Sequence, residues 1–176
     1  IHTYQRSGHV RTAATAATVS YAKGPARAAD LPAVTLDGQE IALSDAKVAR
    51  LAKRLKGQVI RPGDEAYESA RKVWNAAFDR RPALIVRCAG VEDVQTAVKF
   101  AREHRLPTAV KCGGHSASGQ STVDRGLVID LSPMRDVSVD PIARRVRAGG
   151  GAVLGDLDAA TQEHGLVVPA GVVSET

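Results

Sequence analysis

The chain has 176 residues, enough for one packed domain and too few for a large two-domain enzyme. Hydrophobic residues make up 44% and charged residues 24%, which excludes collagen-like, coiled-coil and wholly disordered classes, and an aromatic content of 3% leaves no ladder of rings for single-stranded nucleic acid. The net charge of +5 comes mostly from Arg6, Arg11, Lys23 and Arg27, while residues 30–176 carry 20 basic and 19 acidic side chains, so duplex binding, which draws on clustered cations, is excluded as well.

In chain order, residues 1–43 show no sustained helical period and contain Gly24, Pro25, Pro32 and Gly38; they read as leader and linker. Within them residues 12–22, rich in Ala and Thr, follow Arg6 and Arg11, and a small-residue stretch precedes Asp30. That order is similar to the tail of an export signal; a disordered leader reads equally well, and the compartment, cytoplasmic or exported, stays open. The chain begins at Ile1 without Met and stops inside a loop, so the expectation is a fragment at both ends. No run of roughly 18 apolar residues is present to span a membrane. Cys88 and Cys112 are too few for a disulfide framework and are expected to be buried thiols on strands.

Residues 44–78 read as an N-terminal helical segment. Ser44 and Asp45 form a helix start, Val48, Leu51, Ala52 and Leu55 share a face, and Gly57 supplies a stop. A short strand over 58–61, a break at Pro62-Gly63-Asp64 and a weaker helix over 65–74 follow. From Pro82 the grammar changes to alternating strand and helix. Residues 83–88 are a nearly continuous apolar run, as in a strand covered on both faces. Residues 91–104 place Val91, Val94, Ala97, Val98 and Ala101 on one helical face, with Glu92 and Asp93 in the first turn. Residues 108–112 form the next strand, implying a parallel crossover. Further strands are expected over 126–131, 137–139, 144–147 and 166–168, with a helix over 154–163 closed by Gly165. The fold class is α+β with a mixed sheet.

The stretch Lys111-Cys112-Gly113-Gly114-His115-Ser116-Ala117-Ser118-Gly119 follows a strand. Adjacent glycines permit positive φ and close approach, so consecutive N–H groups can converge on a phosphate or pyrophosphate. Ser116, Ser118 and Ser121 add hydroxyls, and Lys111 adds a charge at the entrance. His115 lacks the partners of a structural zinc site, and no G-x-S-x-G elbow accompanies it; no metal site is expected, and a plain loop histidine is the default. The cluster Gly149-Gly150-Gly151 fails the G-x-G-x-x-G pattern because Leu154 stands where the third glycine belongs, so it reads as close packing of a helix start on the sheet. The loop 169–176 also follows an expected strand, and in open α/β sheets ligands gather outside strand carboxyl ends.

Taken together, Pro82-Ala83-Leu84-Ile85-Val86, Val91-Glu92-Asp93-Val94, the run from Ala109 to Ser116, the run from Gly126 to Ser132, Val139-Asp140-Pro141, Ala148-Gly149-Gly150-Gly151 and the run from Gly171 to Thr176 resemble the FAD-binding module of the vanillyl-alcohol oxidase superfamily. The resemblance is to its berberine-bridge-enzyme-like FAD-linked oxidases and their PCMH-type domain. It covers residues 79–176, as the first part of that domain, and residues 1–78 show no such match. It implies FAD held by Lys111, Cys112, Gly113, Gly114, His115, Ser116, Ser118, Gly119 and Ser121, with Gly171, Val173, Ser174 and Thr176 from the second loop. It further implies a bond from a ring nitrogen of His115 to the flavin 8α carbon. Val173 stands where some members carry a cysteine with a second flavin bond, and Cys112 replaces the usual Ser or Gly. The implied reaction is hydride removal from a C–H beside an alcohol, amine or phenol of a small-molecule substrate, with oxygen as acceptor. In the family the catalytic base and substrate domain lie further along, so no catalytic residue is expected in this chain. A non-covalent FAD reductase or dehydrogenase of the same fold, and a nucleotide-binding module without redox chemistry, are the alternatives.

Overall fold

The computed structural model describes residues 30–171 and 173–175; the stretch 12–22 considered as an export signal lies outside them. The centre of the described chain is a four-stranded sheet. β3 (Gln58–Ile60), β4 (Leu84–Arg87), β5 (Thr108–Lys111) and β6 (Leu127–Asp130) lie in the order β3-β4-β6-β5. β4 and β5 both run parallel to β6, and β3 is antiparallel to β4, so the sheet is mixed. The crossover expected between β4 and β5 is therefore a skip, with β6 inserted between them.

Alternation along the strands divides two cores. Leu84, Val86, Leu127 and Ile129 face α1 (Asp45–Ala52) and α3 (Val91–Glu103) in one cluster. Ile85, Val128, Ala109 and Ile60 lie in one register row facing the short α2 (Tyr67–Ala70) in the other. Both faces of β4 are thus covered, which is why its sequence is apolar without alternation. The first cluster also takes in Ala33 and Leu43 of a hairpin formed by β1 (Leu31–Val34) and β2 (Glu40–Leu43). This hairpin falls in the stretch that reads as linker in the sequence, and Gly38 at φ +82° supports its turn. After β6 a second hairpin, β7 (Val137–Asp140) with β8 (Arg145–Ala148), leads to α4 (Leu154–Gln162), which lies against it. Among the described residues no helix is long and apolar enough to cross a membrane.

The structure corrects several local expectations. The α3 face that packs inward is Asp93, Ala97, Phe100 and Ala101, whereas Val91 and Val98 are exposed. The apolar pattern places the stripe a fraction of a turn off because it cannot foresee a buried carboxylate. The helix expected over 65–74 shrinks to a single turn. No strand forms over 166–168; the Gly165 and Leu166 N–H groups close α4 onto Gln162 and Thr161 instead. Gly57 does not end α1, which stops at Ala52. A Cβ there would stand 2.1 Å from the Arg87 carbonyl oxygen, so this glycine permits close approach of the α1–β3 turn to β4. Of the two thiols, Cys88 is buried and pushed up to about 11 by burial and then by Asp93 and Asp130, but Cys112 is only half-buried; both are free.

Asp93 joins three elements. Its carboxylate accepts hydrogen bonds from the backbone N–H groups of Lys56, Gly57 and Ala89, each at 2.8 Å, and its side chain is fully buried. Burial pushes this carboxyl up, but the three N–H donors and the Lys56 charge outweigh it and hold it below the usual 3.8. A depressed folded pKa contributes stability that is present above the unfolded value and lost as the pH falls through the folded one. Asp93→Ala strands three buried donors and is expected to lose about 3 kcal/mol, read from urea midpoints at neutral pH. The wild type is expected to lose stability below about pH 4, more shallowly in Asp93→Asn, and an unchanged acid slope would refute this role.

Candidate functional site

The carboxyl ends of β4, β6 and β5 carry Arg87, Asp130 and Lys111 in one register row. Asp130 is buried, accepts from Arg87 Nε at 3.1 Å and from the Ser132 N–H at 3.0 Å, and so has its charge compensated. Lys111 turns away from the loop that follows it. Its Nζ donates to the Ala70 carbonyl at the end of α2, at 2.5 Å. Burial pushes the Lys111 ammonium down, and Asp130 partly opposes that. Lys111 therefore fixes α2 to β5 and is not the entrance charge that the sequence implies.

Residues 112–125 leave the sheet edge as a glycine-rich loop, and a second stretch, residues 73–81, runs against it. The Trp74 N–H donates to the Gly114 carbonyl at 3.1 Å and Asn75 Nδ2 to the Ala117 carbonyl at 2.9 Å. Arg80 donates through one nitrogen to the carbonyls of Gly119 and Thr122, at 3.0 and 2.8 Å. The Arg81 N–H reaches Asp124 at 2.7 Å. The loop bends at Gly114 and Gly119, with φ of +72° and +70°, angles that an L side chain adopts only with strain. A Cβ at Gly119 would lie 2.3 Å from Cγ of Phe78, so that ring packs directly on the glycine.

This arrangement treats the two kinds of backbone group differently. The loop's carbonyls at 114, 117, 119 and 122 are taken up by the brace. Its N–H groups from Cys112 through Ser118 donate to no acceptor among the described residues. Of the run, Cys112 and Ser116 are half-buried, Gly114 is buried and Gly113, His115, Ala117 and Ser118 are exposed; a run of free backbone donors on a bend with positive φ can form a concavity for an anion. The donor set fits a pyrophosphate.

His115 stands in the middle of the run, exposed. Its ring lies over Gly113, where a Cβ would approach Cδ2 at 2.8 Å, and its centroid is 5.9 Å from the Trp74 ring, tilted by 30°. Ser116 Oγ accepts from the Gln120 N–H at 3.1 Å and lies 3.3 Å from Ser118 Oγ; Ser121 is half-buried. Thr122 Oγ1, buried at the far end of the loop, has no hydrogen-bond partner.

The second loop is held elsewhere, by the start of α4. The Gly155 N–H donates to the Ser174 carbonyl at 2.8 Å, and a Cβ on Gly171 would meet Leu154 at 3.0 Å. Val173 is exposed, and Thr176 lies outside the described residues. Gly149 and Gly151 pack their backbones onto Met134 and Leu131, where Cβ atoms would come within 2.2 and 1.9 Å of carbonyl oxygens, in line with the close-packing reading. Among the described residues no three His, Cys, Asp or Glu side chains converge as metal ligands. Sequence reasoning missed Trp74, Asn75 and Arg80: Trp74 stands at the end of the helix expected over 65–74, and Asn75 and Arg80 follow in a stretch without helical period.

Comparison with known proteins is consistent with this geometry. The family described as FAD binding domain matches residues 82–176. (R)-6-hydroxynicotine oxidase of Paenarthrobacter nicotinovorans is 35% identical over 67% of this chain and 26% of its own length. An FAD-linked oxidoreductase of Aspergillus fumigatus is 43% identical over 66% of this chain and 25% of its own. Among solved structures, 6-hydroxy-D-nicotine oxidase of Arthrobacter nicotinovorans superposes with a TM-score of 0.66 at 34% identity, covering 69% of this chain and 27% of that one. The BBE-like 1 protein of Physcomitrella patens gives 0.64 at 27% identity, covering 70% and 28%. The chain spans about a quarter of the length of the curated relatives it matches.

Gly119 and Gly165 offer a matched pair for testing the loop. Both have positive φ, but the space around Gly165 is open. Gly165→Ala should cost only the backbone strain, about 1 to 2 kcal/mol. Gly119→Ala must also displace Phe78 and is expected to cost more, with faster proteolytic cleavage between residues 112 and 125; equal costs would show that Phe78 does not pack the loop.

Proposed function

The chain belongs to the FAD binding domain family of the berberine-bridge-enzyme-like FAD-linked oxidoreductases, and on that premise we propose that it grips the cofactor of an oxidoreductase whose flavin is tethered through His115. The observation that carries this reading is the run of backbone N–H groups from Cys112 to Ser118 that find no acceptor within the described chain. In this reading those donors bind the FAD pyrophosphate, with the hydroxyls of Ser116, Ser118 and Ser121 at its margin. Lys111 acts by securing α2, from which the brace departs. Gly171, Val173, Ser174 and Thr176 border the cofactor from the second loop.

When bound, the flavin supplies hydride acceptance at N5 and reoxidation by dioxygen. What this chain contributes is orientation. His115 presents an imidazole nitrogen as the nucleophile for the flavin 8α carbon, a role open only to the neutral ring. The reaction served is hydride removal from a C–H beside an alcohol, amine or phenol of a small molecule. The proton-accepting base is supplied by a later part of the full-length protein, and no residue of this chain is assigned that role.

The expected outcome is a yellow full-length protein whose flavin stays with the polypeptide after acid precipitation. His115→Ala should release its flavin under the same treatment while still binding FAD before it, because the donors that hold the pyrophosphate are backbone groups. Release of free flavin from the wild type would replace the covalent reading with non-covalent FAD in the same cup. Absence of thermal stabilisation by FAD, with stabilisation by another nucleotide, would overturn the cofactor itself.

A further inference from the structure

We propose that Trp74 is a positioning residue for His115, holding the imidazole in the orientation from which it attacks the flavin; this rests on the reading of His115 as the attachment point. Trp74 is the only tryptophan of the sequence and is 70% exposed. A ring left that open contributes little to either core, and neither hydrophobic cluster includes it. Its backbone, by contrast, is fixed. The Trp74 N–H is bonded to Gly114, the residue before His115. Val73 lies so close to Gly114 that a Cβ there would stand 3.3 Å from the Val73 Cα. On the other side Asn75 holds Ala117. Residues 73–75 therefore run beside 114–117 as a splint, and the Trp74 ring is delivered to one place, 5.9 Å from the imidazole.

His115 meets a second limit across the loop. Its ring folds over Gly113, where a Cβ would come within 2.8 Å of Cδ2 and 3.3 Å of Nε2, so a side chain there would displace the imidazole from this position. The imidazole thus has two neighbours, the bare backbone of Gly113 and the indole of Trp74. An exposed histidine without such neighbours samples several rotamers, and only some aim a nitrogen at a given carbon. Aromatic pairs of this kind restrict those populations by about threefold to tenfold.

Attachment joins one imidazole nitrogen of His115 to the 8α carbon. One methyl C–H and the imidazole N–H give up protons, and the electron pair left on the flavin ring system is removed by dioxygen as hydrogen peroxide. Trp74 takes no part in these exchanges. Its effect is on how often the nitrogen is aimed, so it should change the rate of attachment and leave FAD binding alone.

The test uses the full-length protein prepared without flavin and then given FAD. Trp74→Ala should slow the appearance of acid-stable flavin by about threefold to tenfold, with FAD affinity within about twofold of the wild type, and Trp74→Phe should recover most of the rate. Attachment at the wild-type rate in Trp74→Ala, or no recovery in Trp74→Phe, overturns the proposal. A second readout needs no attachment at all: the ring-proton resonances of His115, assigned by their loss in His115→Gln, should be displaced by the indole in the wild type, relax in Trp74→Ala and return in part in Trp74→Phe. If the wild type holds its flavin only non-covalently, the attachment reading fails on its own and these resonances still decide the positioning claim, with no change in Trp74→Ala counting against it.

Discussion

The site depends on one division of labour in the backbone. Residues 73–81 bond the carbonyls of the glycine-rich loop and leave its amides pointing elsewhere. Without the brace, a loop with glycines at positive φ could satisfy its own amides by collapsing into turns, since an unpaired backbone donor is costly away from water. Arg80 matters most in this respect, because one guanidinium closes two carbonyls three residues apart, at Gly119 and Thr122. The Phe78 ring, over which the Arg80 guanidinium lies at 5.4 Å, packs on Gly119 in the same stretch. The shape of the glycine-rich loop is thus held by a neighbouring stretch of coil rather than by the loop itself.

The brace in turn must be placed, and buried charge does this. Lys111 ties the end of α2 to the end of β5, and the brace begins immediately after α2. Arg71, between α2 and the brace, is buried between Glu68 and Asp79 and bonds both, so the chain is pinned again eight residues on. Both acids are held below the ordinary carboxyl range chiefly by their hydrogen bonds to Arg71. Each is largely exposed, and such pairs add little stability of their own; their value here is register. Asp130 and Arg87 complete the row on the sheet beneath. The polar groups at the strand ends therefore serve the loop, while the apolar rows of the two clusters hold the sheet.

How much of this the sequence carried follows from the range of the interactions. The apolar run of β4, the helix α3 and the glycines at 113, 114 and 119 act over a few residues, and each was readable. The face of α3 was misjudged because Asp93 is buried by partners at positions 56 and 57 that no local pattern reveals. The hairpin over 31–43 was missed for a related reason: Ala33 and Leu43 are buried against elements far along the chain, and the strands are only four residues each. The brace was invisible for the same cause in stronger form. Its contacts join residues about forty positions apart, from side chain to main chain, and leave neither a period of two nor of 3.6 in the sequence.

In the proposed reading the donors lie on the backbone and the nucleophile on one side chain, which makes cofactor binding and cofactor tethering separable. No substitution short of proline removes an amide from the run between Cys112 and Ser118, so under the proposed reading the grip on a pyrophosphate would rest on no single side chain of the loop. A tether, as proposed, would have no such insurance, because it would rest on the His115 side chain alone. The same reasoning accounts for Cys112 in a position that contributes only its amide: a half-buried free thiol there alters nothing the cup requires. It also locates where the chain's tolerance ends. Gly114 and Gly119 are limited by their positive φ and by contact distances to Val73 and Phe78 respectively, so these two glycines are fixed by two different residues of the brace.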